Sequence, residues 1–264
     1  MSRPLACITG ASAGIGAAFA RQLAARGYDL WLVARRRDAL ARLAAGLQAK
    51  HGVAAEAIEA DLTRDADVSA VCARLAAEAP LELLVNNAGF GSRGFFFDAD
   101  PAQQDNMHRL HVLATGRLTR AALPGMVERR RGGIVNVASV AAFFPAPGSV
   151  SYCATKAWML AFTEGLWLEL RRAGSPVTVQ ALCPGYTYSE FHDVLGVDRS
   201  KIMTPGWWMT ADSVVAESLR GLDRGRLIVI PGLRYRMLVA LSRLLPRRLM
   251  LAGAARVRGP AVEK

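Results

Sequence analysis

Short apolar runs, several rich in β-branched residues, alternate along the chain with longer stretches in which apolar positions recur at helical spacing. Leu5 to Thr9, Asp29 to Ala34, Ala54 to Ala60, Leu81 to Asn86, Gly133 to Ala138, Val177 to Leu182 and Leu227 to Ile230 read as strands. Between them Ile15 to Arg26, Asp38 to Lys50, Val68 to Ala79, about Pro101 to Glu128, Ser151 to Arg172 and Ala211 to Leu222 read as helices. Strands separated by helices of this length need right-handed crossovers, so the pattern predicts a parallel, seven-stranded sheet covered by helices on both faces.

That is an α/β architecture of the doubly wound, Rossmann type. With 264 residues, 52% of them hydrophobic, the chain has enough apolar surface for a sizeable core. Residues 1–231 are expected to form one catalytic domain of this kind. Its longest stretch without clear periodicity, about 185–210, follows the sixth strand. Ligands of such sheets sit beyond the carboxyl ends of the strands, so this stretch is a candidate substrate lid. Residues 232–264 read as a basic, amphipathic C-terminal extension.

Composition narrows the setting. Cys7, Cys72, Cys153 and Cys183 lie far apart without metal-ligand spacing, and a strand-like run follows Met1 to Pro4 directly, so a reducing cytoplasm and no bound metal are expected. The net charge of +11 raises nucleic acid or an anionic membrane as partners. Arginine is nevertheless spread along the whole chain, and no basic run is interleaved with aromatics in a base-reading pattern, which argues against nucleic acid. The basic asymmetry is confined to Gly232 to Arg258, which has seven arginines and no acid. Within it Leu233, Met237, Leu241 and Leu245 form a helical stripe flanked by Arg234, Arg236 and Arg243. It could lie on a bilayer surface, although a cover for a substrate cleft or a subunit contact is the favoured reading. No apolar run reaches the ~20 residues of a membrane-spanning helix.

The first strand runs into Thr9-Gly10-Ala11-Ser12-Ala13-Gly14-Ile15-Gly16, with glycines at the strand-to-helix turn. Without Cβ atoms such a turn lets a dinucleotide pyrophosphate approach the helix N-terminus, where free N–H groups and the dipole favour negative charge. The second strand ends in Ala34-Arg35-Arg36-Arg37 rather than in the carboxylate that an NAD site would place on the adenosine ribose. Arg35, helped by Arg36, is expected to grip a 2′-phosphate, which favours NADP(H) over NAD(H). Asp61-Leu62 after the third strand could meet the adenine, and Asn87, Ala88 and Gly89 after the fourth could line the adenosine side or, for Asn87, tie strands together.

Tyr152 and Lys156 are four residues apart on a predicted helix and share a face. A neighbouring ammonium and a positively charged nicotinamide would stabilise a phenolate and make the tyrosine a useful acid or base near neutrality. Ser139, at the end of the fifth strand, can donate a hydrogen bond to a substrate oxygen. Together with the glycine turn, Asn86 to Gly89, and Pro184-Gly185 after the sixth strand, these residues resemble the classical short-chain dehydrogenase/reductases over roughly Leu5 to Ile230. The resemblance implies that Tyr152 is the general acid and base, that Lys156 holds the nicotinamide ribose and tunes the tyrosine, and that Ser139 polarises the carbonyl. It also implies that Gly10, Ser12, Ala13, Gly14, Ile15, Gly16, Asp61, Leu62, Asn87, Ala88 and Gly89 line the adenosine and pyrophosphate. Pro184, Gly185, Thr187 and Ser189 would belong to the segment that meets the nicotinamide carboxamide and the pyrophosphate, with Thr187 and Ser189 as the contacts.

One position departs from the family. The long fourth helix usually supplies an asparagine that completes the catalytic set through a bound water, and the matching residue here is His111. Asn106 stands about 140° around the helix and cannot take its place. A histidine could hold the water and relay a proton, or it could only pack.

Phe90, Phe95, Phe143, Phe144, Tyr186, Tyr188 and Phe191 are expected to give the site an apolar wall, suiting a small aliphatic, aromatic or steroid-like ketone or alcohol. Trp207-Trp208 is expected to serve packing. A homodimer or homotetramer through the fourth and fifth helices is implied by the resemblance. Two other functions compete with an oxidoreductase: a dinucleotide-binding sensor or scaffold, and a peripheral membrane-binding protein.

Overall fold

The computed structural model of the chain describes residues 3–77, 81–190 and 204–256. Its strands are β1 (Leu5–Thr9), β2 (Asp29–Ala34), β3 (Ala55–Glu59), β4 (Leu81–Asn86), β5 (Gly133–Val137), β6 (Thr178–Leu182), β7 (Thr187–Tyr188), β8 (Met209–Thr210) and β9 (Ile228–Val229). Its helices are α1 (Gly14–Ala25), α2 (Arg37–His51), α3 (Asp65–Ala77), α4 (Pro101–His108), α5 (Thr115–Glu128), α6 (Val150–Arg172), α7 (Ala211–Leu222), α8 (Leu233–Ser242) and α9 (Arg247–Arg256).

Seven strands pair in parallel in the order β3-β2-β1-β4-β5-β6-β9, the doubly wound sheet that the alternation predicts. The order reverses between β1 and β4, so a crevice opens where both strands end, at Thr9 and Asn86. Side chains alternate between the two faces as the pleat requires. Ala6, Ile8, Leu30, Leu32, Leu83 and Val85 pack with α1, α2 and α7 on one side. Cys7, Trp31, Val33, Leu84 and Ile134 pack with α3, α5 and α6 on the other.

Beneath the crevice a buried polar chain crosses the sheet. Asn86 donates to Asn136 Oδ1 at 2.8 Å and to Thr119 Oγ1 at 3.1 Å. Asn136 donates to Thr163 Oγ1 at 2.9 Å, which in turn donates to the Met159 carbonyl at 2.7 Å. Fixing four elements through hydrogen bonds in a low-dielectric interior rigidifies the platform on which the site stands.

Two regions differ from the sequence pattern. The single long helix expected over Pro101 to Glu128 is interrupted. Asp100 caps α4 by accepting from the Ala102 amide, Pro101 fits the first turn, and Arg109–Ala114 then widens into a π-helical segment before α5 begins. That widening turns His111 fully inward while Asn106 stays exposed. The stretch 185–210 is not featureless either, since β7 and β8 pair within it as a two-stranded parallel ribbon. Phe191 and the rest of 191–203 lie outside the described residues.

Candidate active site

The glycine turn sits at the reversal of strand order. Gly10 has φ +65°, and a Cβ there would lie 2.8 Å from Asn87 Nδ2 and 2.9 Å from Ala88 Cα, so both conformation and space require glycine. Asn87 uses that space: its amide donates to the Thr9 carbonyl at 2.9 Å and the Gly10 carbonyl at 3.3 Å. The Thr9 hydroxyl accepts from the Asn87 and Ala88 amides at 2.9 and 3.0 Å. The side chain of Asn87 therefore ties β1 to β4. Thr9 is the residue that sequence reasoning passed over, because a threonine ending a strand looks like ordinary β-propensity. A Cβ at Gly16 would collide with the Gly10 carbonyl and Asn87 Nδ2, so the start of α1 can lie this close to the turn only with glycine there.

Ala13 caps α1 in extended conformation without a side-chain hydrogen bond, and the first turn holds no acid. The leading N–H groups of α1 thus face the crevice without a competing side chain, which suits an anionic pyrophosphate. Ile15 packs on the core beneath. From the other side Ser189 closes on the turn, its Cβ only 2.9 Å from where a Gly14 Cβ would be.

The two arginines are placed differently. Arg36, not Arg35, reaches over the glycine turn, donating from Nε and Nη2 to Ser12 Oγ at 3.2 and 3.1 Å and pairing with Glu190 at 2.8 Å. Arg36 is the N-cap of α2, and this placement directs its guanidinium back toward the turn. Arg35 is exposed and forms no ion pair with any described residue. Asp61 Oδ1 accepts from the Thr63 amide at 3.0 Å and the Thr63 hydroxyl at 2.8 Å, fixing the turn after β3. Leu62 is buried in the core, so its main chain rather than its side chain is what an adenosine could meet.

Ser139, Tyr152, Lys156 and His111 converge beyond β5. Ser139 caps a short helical turn, accepting from the Ala141 amide at 3.1 Å, and is hydrogen-bonded to the Tyr152 hydroxyl. Lys156 is buried and donates to the Val137 carbonyl at 2.7 Å, with its Nζ 5.8 Å from the centre of the Tyr152 ring. Burial pulls the Lys156 ammonium down from 10.5 to about 7. Burial likewise pushes the Tyr152 phenol up to about 12, with the Ser139 hydrogen bond working the other way. The lowered phenol expected from the neighbouring lysine is therefore not what the protein alone produces: desolvation wins.

His111 faces Tyr152 edge-on, with ring centres 6.1 Å apart, and both its nitrogens are engaged. Nε2 accepts from the Phe90 amide at 3.1 Å, and Nδ1 lies 2.9 Å from Thr155 Oγ1. Through these two bonds the ring holds the loop after β4 against α6. Gly89 sits close to both side chains: a Cβ there would lie 2.7 Å from His111 Nε2 and 3.6 Å from Lys156 Nζ.

The segment after β6 forms the opposite wall. The Pro184 carbonyl accepts from the Val140 amide at 3.0 Å, and Thr187 is buried with its hydroxyl on the Gly185 carbonyl at 3.0 Å. Tyr186 and Tyr188 flank buried Trp208 at 5.3 and 5.2 Å between ring centres, so Trp208 does pack as expected. Phe143 and Phe144 are half-buried beside Ser139, whereas Phe95 is half-exposed and stacks on exposed Phe97. Tyr235 of α8 is a further wall residue that no local motif announces. Its hydroxyl accepts from the Tyr186 amide at 2.9 Å and donates to the Trp207 carbonyl at 2.7 Å. Its ring fills the space a Gly185 side chain would need.

A family model described as short chain dehydrogenase matches residues 4–199. A short-chain dehydrogenase from Sphingobium yanoikuyae, solved in complex with NADPH, is 39% identical and superposes with a TM-score of 0.83 over 99% of this chain and 100% of that one. The bulky-bulky ketone specific alcohol dehydrogenase from Comamonas testosteroni is 33% identical, with a TM-score of 0.79 over 99% of this chain and 98% of its own. A short chain dehydrogenase/reductase from Burkholderia phymatum, in complex with NAD, is 26% identical, with a TM-score of 0.81 over 100% and 99%.

Proposed function

The chain belongs to the short-chain dehydrogenase family of nicotinamide-dependent oxidoreductases, and from that premise we propose that it is an NADPH-linked carbonyl reductase or alcohol dehydrogenase for small apolar substrates. The observation that carries this reading is the convergence of Ser139, Tyr152 and Lys156 at one end of the crevice whose other end holds the open N-terminus of α1. The segment Asn87 to Gly89 runs between the two ends, bonded to the end of β1 through Asn87 and passing beside Lys156 at Gly89.

A reduced nicotinamide, when bound, supplies the hydride for the carbonyl carbon. Ser139 donates a hydrogen bond to the carbonyl oxygen and polarises it. Tyr152 gives its phenolic proton to that oxygen as it gains charge, and takes it back in oxidation. A phenol raised to about 12 arrives protonated for reduction at neutral pH. Lys156 sits where it would meet the nicotinamide ribose, and its charge stabilises the phenolate left behind. His111 acts through others, fixing the backbone beside Tyr152. Arg36, with Ser12, would hold the 2′-phosphate of NADPH, and Asp61 would take the adenine edge. The half-buried Phe143, Phe144 and Tyr186 favour apolar substrates, in keeping with the ketone specificity of the Comamonas testosteroni enzyme.

The test is titration with NADPH and NADH followed by tryptophan fluorescence, then a panel of apolar ketones followed by nicotinamide absorbance. NADPH is expected to bind more tightly than NADH and to reduce at least one bulky ketone, with Tyr152→Phe keeping NADPH binding and losing turnover. Tight NADPH binding without turnover of any ketone would favour a dinucleotide-binding sensor instead.

A further inference from the structure

Helix α8 is apolar on two opposite sides. At about 100° per residue, Tyr235 and Val239 share one side, and Leu233, Met237 and Leu241 centre about 180° away. The first pair is 3% and 2% exposed and fastens the helix to the substrate wall. The second set stands outward at 64%, 54% and 59% exposure. Packing against one domain needs only one apolar stripe, and nothing among the described residues covers the second. Past the helix Leu244, Leu245 and Leu249 are exposed as well, and α9 buries none of its residues. Six large apolar side chains exposed within one short segment, Leu233, Met237, Leu241, Leu244, Leu245 and Leu249, mark a docking face.

Charge identifies the occupant. Gly232 to Arg258 carries seven arginines and no acid. Arg236 lies 3.7 Å from Glu217, but Arg247, Arg248 and Arg256 form no ion pair with any described residue. A second copy docked through this face about a two-fold axis would set one all-positive segment against another with no acid to pair. An anionic phospholipid surface offers both an apolar layer and phosphates that arginines bind.

We propose that the outward face of α8 and α9 seats on an anionic bilayer, with Leu241, Leu244 and Leu245 entering the headgroup boundary and the arginines meeting phosphates. Arg243 stands 5.7 Å from the Phe143 ring centre and Tyr235 is bonded to Tyr186, so the docked face adjoins the substrate wall. An apolar substrate dissolved in the bilayer would then lie near the cleft.

The experiment is co-sedimentation of the full chain with phosphatidylcholine vesicles, with and without phosphatidylglycerol. Because a chain of net charge +11 attracts anionic vesicles in any orientation, the deciding variant is Leu241→Gln/Leu244→Gln, which leaves charge unchanged. Wild type is expected to sediment with the phosphatidylglycerol vesicles alone, and the double variant to partition about tenfold less, since inserted leucine surface supplies much of the binding. Both residues are exposed, and a thermal melt confirms that the variant folds. Absent sedimentation of wild type, or equal partition of the variant, overturns the proposal. So does light scattering that shows a wild-type dimer which the same substitution dissociates, because the face then belongs to a second copy. None of these readouts uses catalysis, so they are independent of the oxidoreductase reading.

Discussion

His111 Nδ1 and Thr155 Oγ1 lie 2.9 Å apart, and the surrounding hydrogen bonds fix which of them donates. The Thr155 hydroxyl already donates to the Tyr152 carbonyl at 3.0 Å, so it accepts from Nδ1–H, and Nε2 is left to accept from the Phe90 amide. A neutral imidazole satisfies every partner. An imidazolium would place a second N–H against the Phe90 N–H.

Burial, followed by the Lys156 and His108 charges, holds His111 well below 6.5. The unfolded chain therefore binds a proton at this histidine that the folded chain refuses, and stability falls as pH drops through about 6.5, by up to about 1.4 kcal/mol per pH unit. Urea unfolding at pH 7 and pH 5 should show that loss, and His111→Asn should flatten it. Equal acid slopes in the two proteins would assign the loss to other groups.

Lys156 predicts a second linkage, at higher pH. Its folded value of about 7 against the usual 10.5 means that the unfolded state holds more protons above pH 7, so stability rises with pH from about 7. The rise ends near pH 9, where unfolded thiols ionise while buried Cys7 and Cys183, pushed up to about 12, stay protonated. Lys156→Met should remove the rise between pH 7 and 9 and raise stability at pH 7, while lowering turnover. A variant whose stability tracks wild type across this window would mean that the lysine is not buried as the structure shows.

The sheet and the tyrosine-lysine pair were legible because they depend on periodicity and fixed spacing: β-strand alternation, and a four-residue step that keeps Tyr152 and Lys156 on one helical face. What was not legible depends on contacts distant in sequence. Nothing near Gly185 announces that its missing side chain makes room for Tyr235, and nothing near Ser12 says that it is the second arginine of Arg35-Arg36 that turns back to it. The π-helical widening at Arg109–Ala114 is likewise invisible to a 3.6-residue period, yet it carries His111 inward. The phenol of Tyr152 illustrates a different limit: the sign of its shift is set by how much protein surrounds it, which spacing does not report.

Arg36 should decide the choice of dinucleotide. Its guanidinium is already turned toward Ser12 and held by Glu190 at 2.8 Å, so a 2′-phosphate would exchange one anion for another. Arg36→Ala is expected to raise KM for NADPH roughly 10- to 100-fold, the worth of a charge-assisted pair, while leaving NADH nearly unchanged. Glu190→Gln should lower KM for NADPH by removing the competing carboxylate, and Arg35→Ala should have the smaller effect of the two arginines. A larger loss at Arg35 would restore the assignment expected from the sequence.

Gly185→Ala tests the link between α8 and the site. The added methyl would occupy the space of the Tyr235 ring, and the ring cannot withdraw without breaking the bonds from the Tyr186 amide and to the Trp207 carbonyl. Overpacking of this kind costs about 1–3 kcal/mol, and the displaced Tyr186 should raise KM for the ketone more than KM for NADPH. Tyr235→Ala should be destabilising on its own, because it leaves a cavity and orphans the Tyr186 amide. Combined with Gly185→Ala, however, it removes the clash, so the double variant should be more stable than the sum of the two single losses, by an amount well outside the ~0.5 kcal/mol scatter of independent sites. Additive losses in that cycle would show that the two residues do not meet, and that α8 does not shape the wall beside Tyr186.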